Sequence, residues 1–233
     1  MQIDTFLKEG KAIEEYLNDQ IVVTEKQIED MPLEVIDNDS RSYPGFLHYR
    51  WNRVYSGLKP FLKKEDNILE LACRTGLFCH YMFQRGYENV YGIDICEKAI
   101  KLANKHCAGT NCVVGDIHKM PWDDQFFDAI CATEIIEHSY DPPLLFRELR
   151  RVLKDDGIIF TTVPIEAPPK NEQISIDVGH VIFFPHPSIF QQYAADNGFA
   201  SHVFDYNLYP PNDEGKLWLQ GCGFLLKKIE VVD

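Results

Sequence analysis

The chain has 233 residues and carries 23 lysines and arginines against 36 aspartates and glutamates, a formal net charge of −13. This length suits one domain with a full core and a small appendage. The negative charge repels a phosphate backbone, which disfavours nucleic acid as a partner.

The seven cysteines form no Cys-x-x-Cys pair and lie within apolar runs. This usage predicts small buried hydrophobic residues in a reducing compartment. The first residues contain no signal-peptide pattern, and no apolar run approaches the roughly 20 residues of a membrane-spanning helix. We therefore expect a cytoplasmic protein with no membrane span.

The first 60 residues predict a helical cap or lid, followed by the main domain over residues 61–233. Apolar residues spaced among charges predict an amphipathic helix over residues 4–18. Residues 19–42 are acidic and polar with little periodicity, which predicts a loop or mobile lid. Pro44 then begins a second helix, which either packs beside the main domain or contacts a substrate.

From residue 67 onward, short apolar strands alternate with amphipathic helices. Strands are predicted over residues 67–72, 89–94, 111–115, 127–132 and 158–163, with helices over 76–85, 97–107 and 142–153 between them. This alternation indicates a parallel sheet with right-handed crossovers. Asp155-Asp156-Gly157 predicts a turn between the last of these helices and its strand.

Residues 164–187 break this pattern with five prolines, which predicts a long loop that is functional or mobile. A helix over residues 187–197 then ends at Asn197-Gly198. Strands over residues 199–207 and 216–227 follow without room for a helix between them, so this pair should be antiparallel. The predicted fold class is α/β, with a mostly parallel seven-stranded sheet and an antiparallel C-terminal strand.

The residues that suggest chemistry begin with Ile68–Gly76. A strand runs into a turn of small residues interrupted by Arg74 and then into a helix, an arrangement that presents backbone N–H groups to a ligand. The nicotinamide fingerprint and the P-loop lysine are missing, so hydride transfer and NTP hydrolysis are not supported. Asp94 ends the next strand, where a carboxylate accepts both hydroxyls of a ribose or caps a helix. Asp116, with Ile117 beside it, ends the third strand and suits an exocyclic amine and a ring face, or a surface turn.

These motifs together resemble those of the class I S-adenosylmethionine-dependent methyltransferases. The matching stretches are Ile68 to Gly76 for motif I, Tyr91-Gly92-Ile93-Asp94 for the ribose site, Gly115-Asp116-Ile117 for the adenine contact, and Phe127-Asp128-Ala129-Ile130 for motif IV. The ubiquinone-biosynthesis and small-molecule branch is indicated by two further stretches, Glu134-Ile135-Ile136-Glu137-His138 and Gly179-His180-Val181.

The resemblance implies a Rossmann-like, doubly wound fold and S-adenosylmethionine as the methyl donor, with S-adenosylhomocysteine as the product. It assigns the cofactor to the motif I turn and the strand ends. The implied cofactor-binding residues are Glu70, Ala72, Cys73, Arg74, Gly76, Asp94, Ile95, Asp116, Ile117 and Thr133.

Two residues depart from motif I, because Ala72 and Arg74 stand where the family has glycine. Ala72 adds a methyl group where the backbone should approach the methionine portion closely, and Arg74 replaces a residue that can take a positive φ at no steric cost. Arg74 would then point outward, or pair with the cofactor carboxylate in a charge-assisted hydrogen bond. Alternatively the turn is distorted and the cofactor binds poorly.

Glu134, Glu137 and His138 are spaced to share one face of a helix just after the fourth strand. With His180 from the later loop, two carboxylates and two imidazoles would suit a divalent cation. The resemblance allows this, since some quinone O-methyltransferases and RNA 2′-O-methyltransferases with a Glu-x-x-Glu-His stretch depend on a metal. Without a metal, Glu137 and His138 would cap and pack the helix, and His138 is the candidate catalytic base because of its near-neutral pKa.

The predicted function is methyl transfer from S-adenosylmethionine to an oxygen, or a nitrogen, of a small-molecule acceptor. Two alternatives stay open. One is a catalytically impaired, S-adenosylmethionine-binding regulatory protein, motivated by Ala72 and Arg74. The other is a metal-assisted RNA 2′-O-methyltransferase, motivated by the acidic and histidine residues at 134–138.

Overall fold

The computed structural model describes residues 10–29, 45–165, 180–205 and 221–230, which form seven strands and six α-helices. The helices are α1 (Gly10–Glu29), α2 (Gly45–Leu58), α3 (Leu77–Phe83), α4 (Glu97–His106), α5 (Pro142–Val152) and α6 (Pro187–Asp196). The strands are β1 (Ile68–Leu71), β2 (Val90–Asp94), β3 (Asn111–Val114), β4 (Phe127–Thr133), β5 (Leu153–Pro164), β6 (Phe199–Asp205) and β7 (Gly221–Lys228). None of these helices is long and apolar enough to cross a bilayer.

The seven strands form one sheet in the order β3-β2-β1-β4-β5-β7-β6. Strands β1 to β5 pair in parallel, whereas β7 is antiparallel to both β5 and β6. The predicted fold class is therefore confirmed, including the antiparallel final pair. The strand order reverses between β1 and β4, and the loops that follow these two strands diverge to open a crevice at their carboxyl ends.

Helices cover both faces of the sheet, as a doubly wound fold requires. One face packs against α2, α3 and α4, and the other packs against α5 and α6. Helix α2 lies close to β5, because a Cβ at Gly57 would stand 2.4 Å from the Phe160 ring. Val54 and Leu58 of α2 are fully buried, so this helix is part of the main core.

The prediction of a loop over residues 19–42 is wrong for the part that the structure describes. Helix α1 continues to Glu29, because Ile21 and Ile28 on its inner face pack against α4. The Lys98 ammonium of α4 also pairs with the Glu29 carboxylate at 2.7 Å. Residues 4–9 and 30–42 lie outside the described parts of the chain.

The predicted turn at Asp155-Asp156-Gly157 is also wrong, because these residues lie within β5. Leu153 pairs with Phe127 and Ile158 pairs with Ala129, so the extra residues of β5 are taken up by a shift in register. A Cβ at Gly157 would stand 3.0 Å from the Asp128 carbonyl oxygen. Gly157 thus allows β5 to approach β4 closely, whereas the sequence Asp155-Asp156-Gly157 predicts a turn.

Candidate active site

The turn between β1 and α3 keeps a glycine-like backbone although two of its glycine positions are substituted. The φ angles of Ala72, Arg74 and Gly76 are 48°, 51° and 72°. Backbone hydrogen bonds hold this shape, from Cys73 N–H to the Ile93 carbonyl at 3.0 Å and from Gly76 N–H to the Cys73 carbonyl at 2.8 Å. The alternation of positive φ angles keeps the turn open towards the crevice, so the substitutions strain the turn without changing its fold.

A cavity of about 460 Å³ lies at the carboxyl ends of β1 to β4. This size suits a small ligand or cofactor. Nine of the ten predicted cofactor-binding residues line it: Glu70, Ala72, Cys73, Arg74, Asp94, Ile95, Asp116, Ile117 and Thr133. The tenth, Gly76, is the N-cap of α3, where a Cβ would stand 2.9 Å from the Ala103 methyl carbon.

The Asp94 carboxylate is buried and already holds two backbone groups. It accepts hydrogen bonds from Arg74 N–H at 2.8 Å and from Cys96 N–H at 2.8 Å, so it links the motif I turn to the start of α4. Burial raises the pKa of Asp94, and the two hydrogen bonds oppose this shift. Each carboxylate oxygen accepts one backbone bond and retains a lone pair towards the cavity.

The Asp116 carboxylate is engaged by two neighbouring rings. His118 Nδ1 lies 2.7 Å from one oxygen, and the Tyr140 hydroxyl donates to the other at 2.6 Å. The His118 Nε2 atom lies 2.7 Å from the hydroxyl of the buried Ser139. Although burial raises it, the hydrogen bonds from His118 and Tyr140 bring the pKa of Asp116 down to about 2. These bonds favour the ionised form of the Asp116 carboxylate and orient it where it lines the cavity.

Glu70 provides a second carboxylate near the motif I turn. Its oxygen accepts a hydrogen bond from the Cys79 thiol at 3.1 Å. Burial raises the pKa of Glu70 to about 8, while the Cys79 bond and the nearby Arg50 guanidinium lower it. Glu70 is consequently protonated at neutral pH until a cation comes close to it.

Helix α1 covers one side of the cavity, and the residues that it contributes there were not predicted from the sequence. The Tyr16 hydroxyl donates to the His138 carbonyl oxygen at 2.7 Å. The Arg74 guanidinium donates to the Gln27 amide oxygen, which ties α1 to the motif I turn. Continued helical spacing beyond residue 18 would have indicated these contacts, since Tyr16, Gln20 and Gln27 all line the same cavity.

The predicted helical face of Glu134, Glu137 and His138 is wrong. Only residues 136–138 form a short 3₁₀ turn, and Glu134 lies before it with a φ of 50°. The Glu134 carboxylate accepts from the Thr162 hydroxyl at 2.7 Å, which directs it to β5. The left-handed backbone at Glu134 breaks the helical spacing, so Glu134 does not join the cluster of Glu137 and His138.

The other three predicted metal ligands do come together. A carboxylate oxygen of Glu137 and one ring nitrogen each of His138 and His180 all lie within 4.8 Å of one another. Glu137 is fully buried. The Val181 N–H donates to the Glu137 carbonyl at 2.7 Å, which holds the later loop against the 3₁₀ turn. His138 also lines the cavity, so this cluster stands at its edge.

Several other cavity residues were not predicted from the sequence. His118 and Tyr140 stack with ring centroids 3.7 Å apart, and both line the cavity. Arg50 and Trp51 reach it from α2. The spacing of Asp116 and His118 is the one local signal that would have suggested a pair, because the contacts of Tyr140 and α2 depend on the fold.

Part of the chain is similar in sequence to known methyltransferases. Residues 69–161 match the model of a family described as "Methyltransferase domain". Phosphoethanolamine N-methyltransferase 3 of Arabidopsis thaliana is 32% identical over 105 residues, which are 43% of this chain and 21% of that protein. Ubiquinone biosynthesis O-methyltransferase of Neisseria meningitidis is 30% identical over 101 residues, 40% of this chain and 42% of that protein. The chain thus spans less than half the length of either relative.

Solved structures agree with the sequence matches. Phosphoethanolamine N-methyltransferase 2 of Haemonchus contortus, in complex with S-adenosyl-L-methionine, gives a TM-score of 0.61 at 16% identity, over 77% of this chain and 53% of that one. At this identity the likeness establishes a shared fold. Residues 69–161 thus match a methyltransferase domain, and the chain shares the fold of this solved methyltransferase. The resemblance predicted from the motifs is confirmed for this part of the chain.

Proposed function

We propose that the protein is an S-adenosylmethionine-dependent methyltransferase that acts on an oxygen of a small-molecule acceptor, with nitrogen as the alternative acceptor atom. The observation that carries this proposal is the motif I turn with its positive φ angles, which faces a cavity that also receives Asp94, Asp116 and His138. The methyltransferase relatives, one acting on nitrogen and one on oxygen by name, support the reaction class and leave the acceptor atom open.

The cavity residues fit S-adenosylmethionine, which supplies an electrophilic methyl group on a sulfonium sulfur. Glu70 faces the ammonium group of the methionine portion, and the backbone of residues 72–76 holds that portion in place. Asp94 accepts the ribose hydroxyls through its remaining lone pairs. Asp116 accepts from the adenine amine, and Ile117 packs on the ring.

The acceptor side of the site requires alignment and, for a hydroxyl acceptor, removal of a proton. His138 is the candidate base, since it lines the cavity. Its backbone is held by the Tyr16 hydroxyl and by the 3₁₀ turn. These contacts fix the position of the residue that carries the imidazole.

A divalent metal is a second way to activate a hydroxyl acceptor. Glu137, His138 and His180 offer one carboxylate and two imidazoles, a donor set suited to a first-row divalent ion. A bound ion would act there as a Lewis acid on the acceptor oxygen. Glu134 is excluded from this proposal because Thr162 binds its carboxylate.

The alternative of an impaired, cofactor-binding regulatory protein rests on Ala72 and Arg74. Both residues adopt the positive φ that a glycine would take, which argues against loss of the cofactor site. The RNA 2′-O-methyltransferase alternative shares the Glu137–His138–His180 cluster. It predicts salt-sensitive RNA binding, which the net charge of −13 opposes.

Titration calorimetry with S-adenosylmethionine and S-adenosylhomocysteine tests the proposal. We expect micromolar binding to the wild type and a loss of at least tenfold in Asp94→Ala, because the ribose contacts are removed. Asp123→Ala is the matched control, since Asp123 is exposed and lies outside the cavity lining. Absence of binding to the wild type would refute the proposal.

Radiolabelled methyl transfer identifies the acceptor class once binding is established. Panels of phenols, aliphatic alcohols and amines are offered with and without a chelator. Transfer to hydroxyl compounds supports an oxygen acceptor, and transfer to amines alone refutes it. Binding of the cofactor without transfer to any compound, or to RNA, favours the regulatory alternative.

A further inference from the structure

A cluster of thiols lies directly under the motif I turn. The thiol cluster consists of Cys73 in the turn, Cys79 in α3 and Cys112 in β3, each no more than 5% exposed. All three are free thiols in the structure. The proposed methyl transfer uses none of these sulfur atoms, so their proximity to the cofactor site calls for a separate explanation.

Gly92 in β2 allows two of these sulfurs to approach each other. A Cβ at Gly92 would stand 2.6 Å from the Cys73 Sγ and 2.9 Å from the Cys112 Sγ. Gly92 is paired with Cys112 in the sheet, so Cys73 reaches across β2 to the neighbouring strand. Any larger residue at position 92 would separate the two thiols.

The remaining thiols of this region have other partners. The Cys79 thiol donates to the Glu70 carboxylate at 3.1 Å, and the Cys107 thiol donates to the Thr75 carbonyl at 3.3 Å. The hydrogen bond from Cys73 lowers the pKa of the Cys112 thiol below its usual value. Cys73 is thus the thiol that lies beside Cys112 and also lines the cavity.

Access to the pair runs through the cofactor cavity, because Cys73 is one of the lining residues. A small oxidant reaches the sulfurs when the cavity is empty, and a bound cofactor would cover them. We propose that Cys73 and Cys112 form an oxidation site, in which a hydroperoxide converts the two thiols to a disulfide and thereby weakens cofactor binding.

The chemistry of this step balances with one hydroperoxide. The Cys73 sulfur, which lines the cavity, attacks a peroxide oxygen, breaks the O–O bond and passes its proton to the leaving oxygen, which gives a sulfenic acid and, from hydrogen peroxide, one water. The Cys112 sulfur then attacks the sulfenic sulfur of Cys73, forms the S–S bond and releases a second water. Two thiols are oxidised by two electrons, and the peroxide is reduced.

The effect on the cofactor follows from the position of Cys73 within the turn. A disulfide requires the two sulfurs to lie about 2.05 Å apart. Closing to this distance displaces Cys73, whose N–H bonds to Ile93 and whose carbonyl accepts from Gly76. The turn that holds the methionine portion is therefore distorted, and by reciprocity the bound cofactor protects the thiols.

Peptide mapping of the full-length protein tests the disulfide. Trypsin places Cys73, Cys79 and Cys112 on separate peptides, residues 65–74, 75–85 and 106–119. After treatment with hydrogen peroxide and alkylation of free thiols, we expect a linked pair of peptides 65–74 and 106–119 that reductant separates. A link to peptide 75–85, or complete alkylation of Cys73, would overturn the proposal.

Variants locate the second sulfur and control for general oxidation. Cys107 and Cys112 share one tryptic peptide, so the map alone does not tell which of them is linked. Cys112→Ser should abolish the link, whereas Cys107→Ser should retain it. Cys222→Ser is the matched control, because Cys222 is a buried cysteine in β7 within the core on the other face of the sheet. A link that persists in Cys112→Ser would refute the assignment.

The regulatory part of this inference rests on the proposed function and has its own measurement. Saturating S-adenosylhomocysteine should slow formation of the linked peptides at least fivefold, and the oxidised protein should bind it at least tenfold more weakly until reductant is added. Equal affinity of the oxidised and reduced protein would refute the regulation. Reduced protein that binds no S-adenosylhomocysteine would refute the proposed function, and the peptide map alone would then decide the disulfide.

Discussion

Ala72→Gly should stabilise the protein, which reverses the usual effect of introducing glycine. The φ of Ala72 is 48°, a left-handed conformation that costs a residue with a Cβ about 1–2 kcal/mol. Glycine removes this strain but adds about 0.5–1 kcal/mol of conformational entropy loss on folding. The difference lies between about 0 and 1.5 kcal/mol in favour of glycine, or up to roughly 6 °C in Tm for a chain of this size.

Thermal unfolding monitored by circular dichroism and calorimetry measures this shift. The matched control is Ala195→Gly in α6, because Ala195 is exposed and helical. The same chemical change there should destabilise the protein by about 0.5–1 kcal/mol. If Ala72→Gly lowers Tm as Ala195→Gly does, the turn is not strained and the reasoning from φ is refuted.

The same substitution also has a binding consequence. The Ala72 methyl group lines the cavity where the methionine portion approaches the turn. Its removal should leave the affinity for S-adenosylhomocysteine unchanged or higher, as measured by calorimetry at one pH. A loss of affinity together with a gain in stability would show that the methyl group contacts the cofactor favourably.

Two further predictions concern charge and the position of α1. Burial raises the pKa of Glu70 to about 8, and pairing with a cofactor ammonium would lower it. Binding at pH 7 should therefore release protons from this site in the wild type and none from it in Glu70→Gln. Affinity should then rise with pH up to about 8, and calorimetry in two buffers of different ionisation enthalpy counts the protons; equal release by both proteins would contradict the role of Glu70. Tyr16→Phe removes the hydrogen bond to the His138 carbonyl and should lower the free energy of unfolding in urea by about 1 kcal/mol. Amide hydrogen exchange should become faster in α1 and stay unchanged in β4. Unchanged exchange in α1 would mean that this bond does not hold the helix.

The parallel sheet could be predicted because its signals are local. Short apolar strands alternate with amphipathic helices, and each strand and helix of residues 67–153 begins and ends within two residues of its predicted bounds. The end of α1 is harder to predict, because the exposed Val22 and Val23 follow Ile21 and blur the apolar face that Ile21 and Ile28 form. Their burial depends on α4, which lies far along the chain.

The candidate site likewise contains residues that local patterns predict and residues that are placed by contacts distant in the chain. Asp94 and Asp116 are readable because each follows an apolar strand, and parallel strands bring their carboxyl ends to one edge. Tyr140 donates to Asp116 across 24 positions of the chain, and no periodic pattern connects them. The conformation of Glu134 is decided by its bond to Thr162 of β5, which overrides the helical spacing of residues 134–138.

The separation of Glu134 from the other acidic ligand gives a sharp test of metal binding. Glu137→Gln should remove metal from the Glu137–His138–His180 cluster, because it replaces a charged ligand with a neutral one. Glu134→Gln is a matched control, since the amide oxygen can still accept from the Thr162 hydroxyl. Metal content measured by mass spectrometry after dialysis against manganese or zinc should fall in Glu137→Gln alone. Equal loss in both variants would mean that Glu134 is a ligand after all, and equal retention would mean that Glu137 is not a ligand. Absence of metal from the wild type after this dialysis would remove the metal from the mechanism and leave His138 as the base.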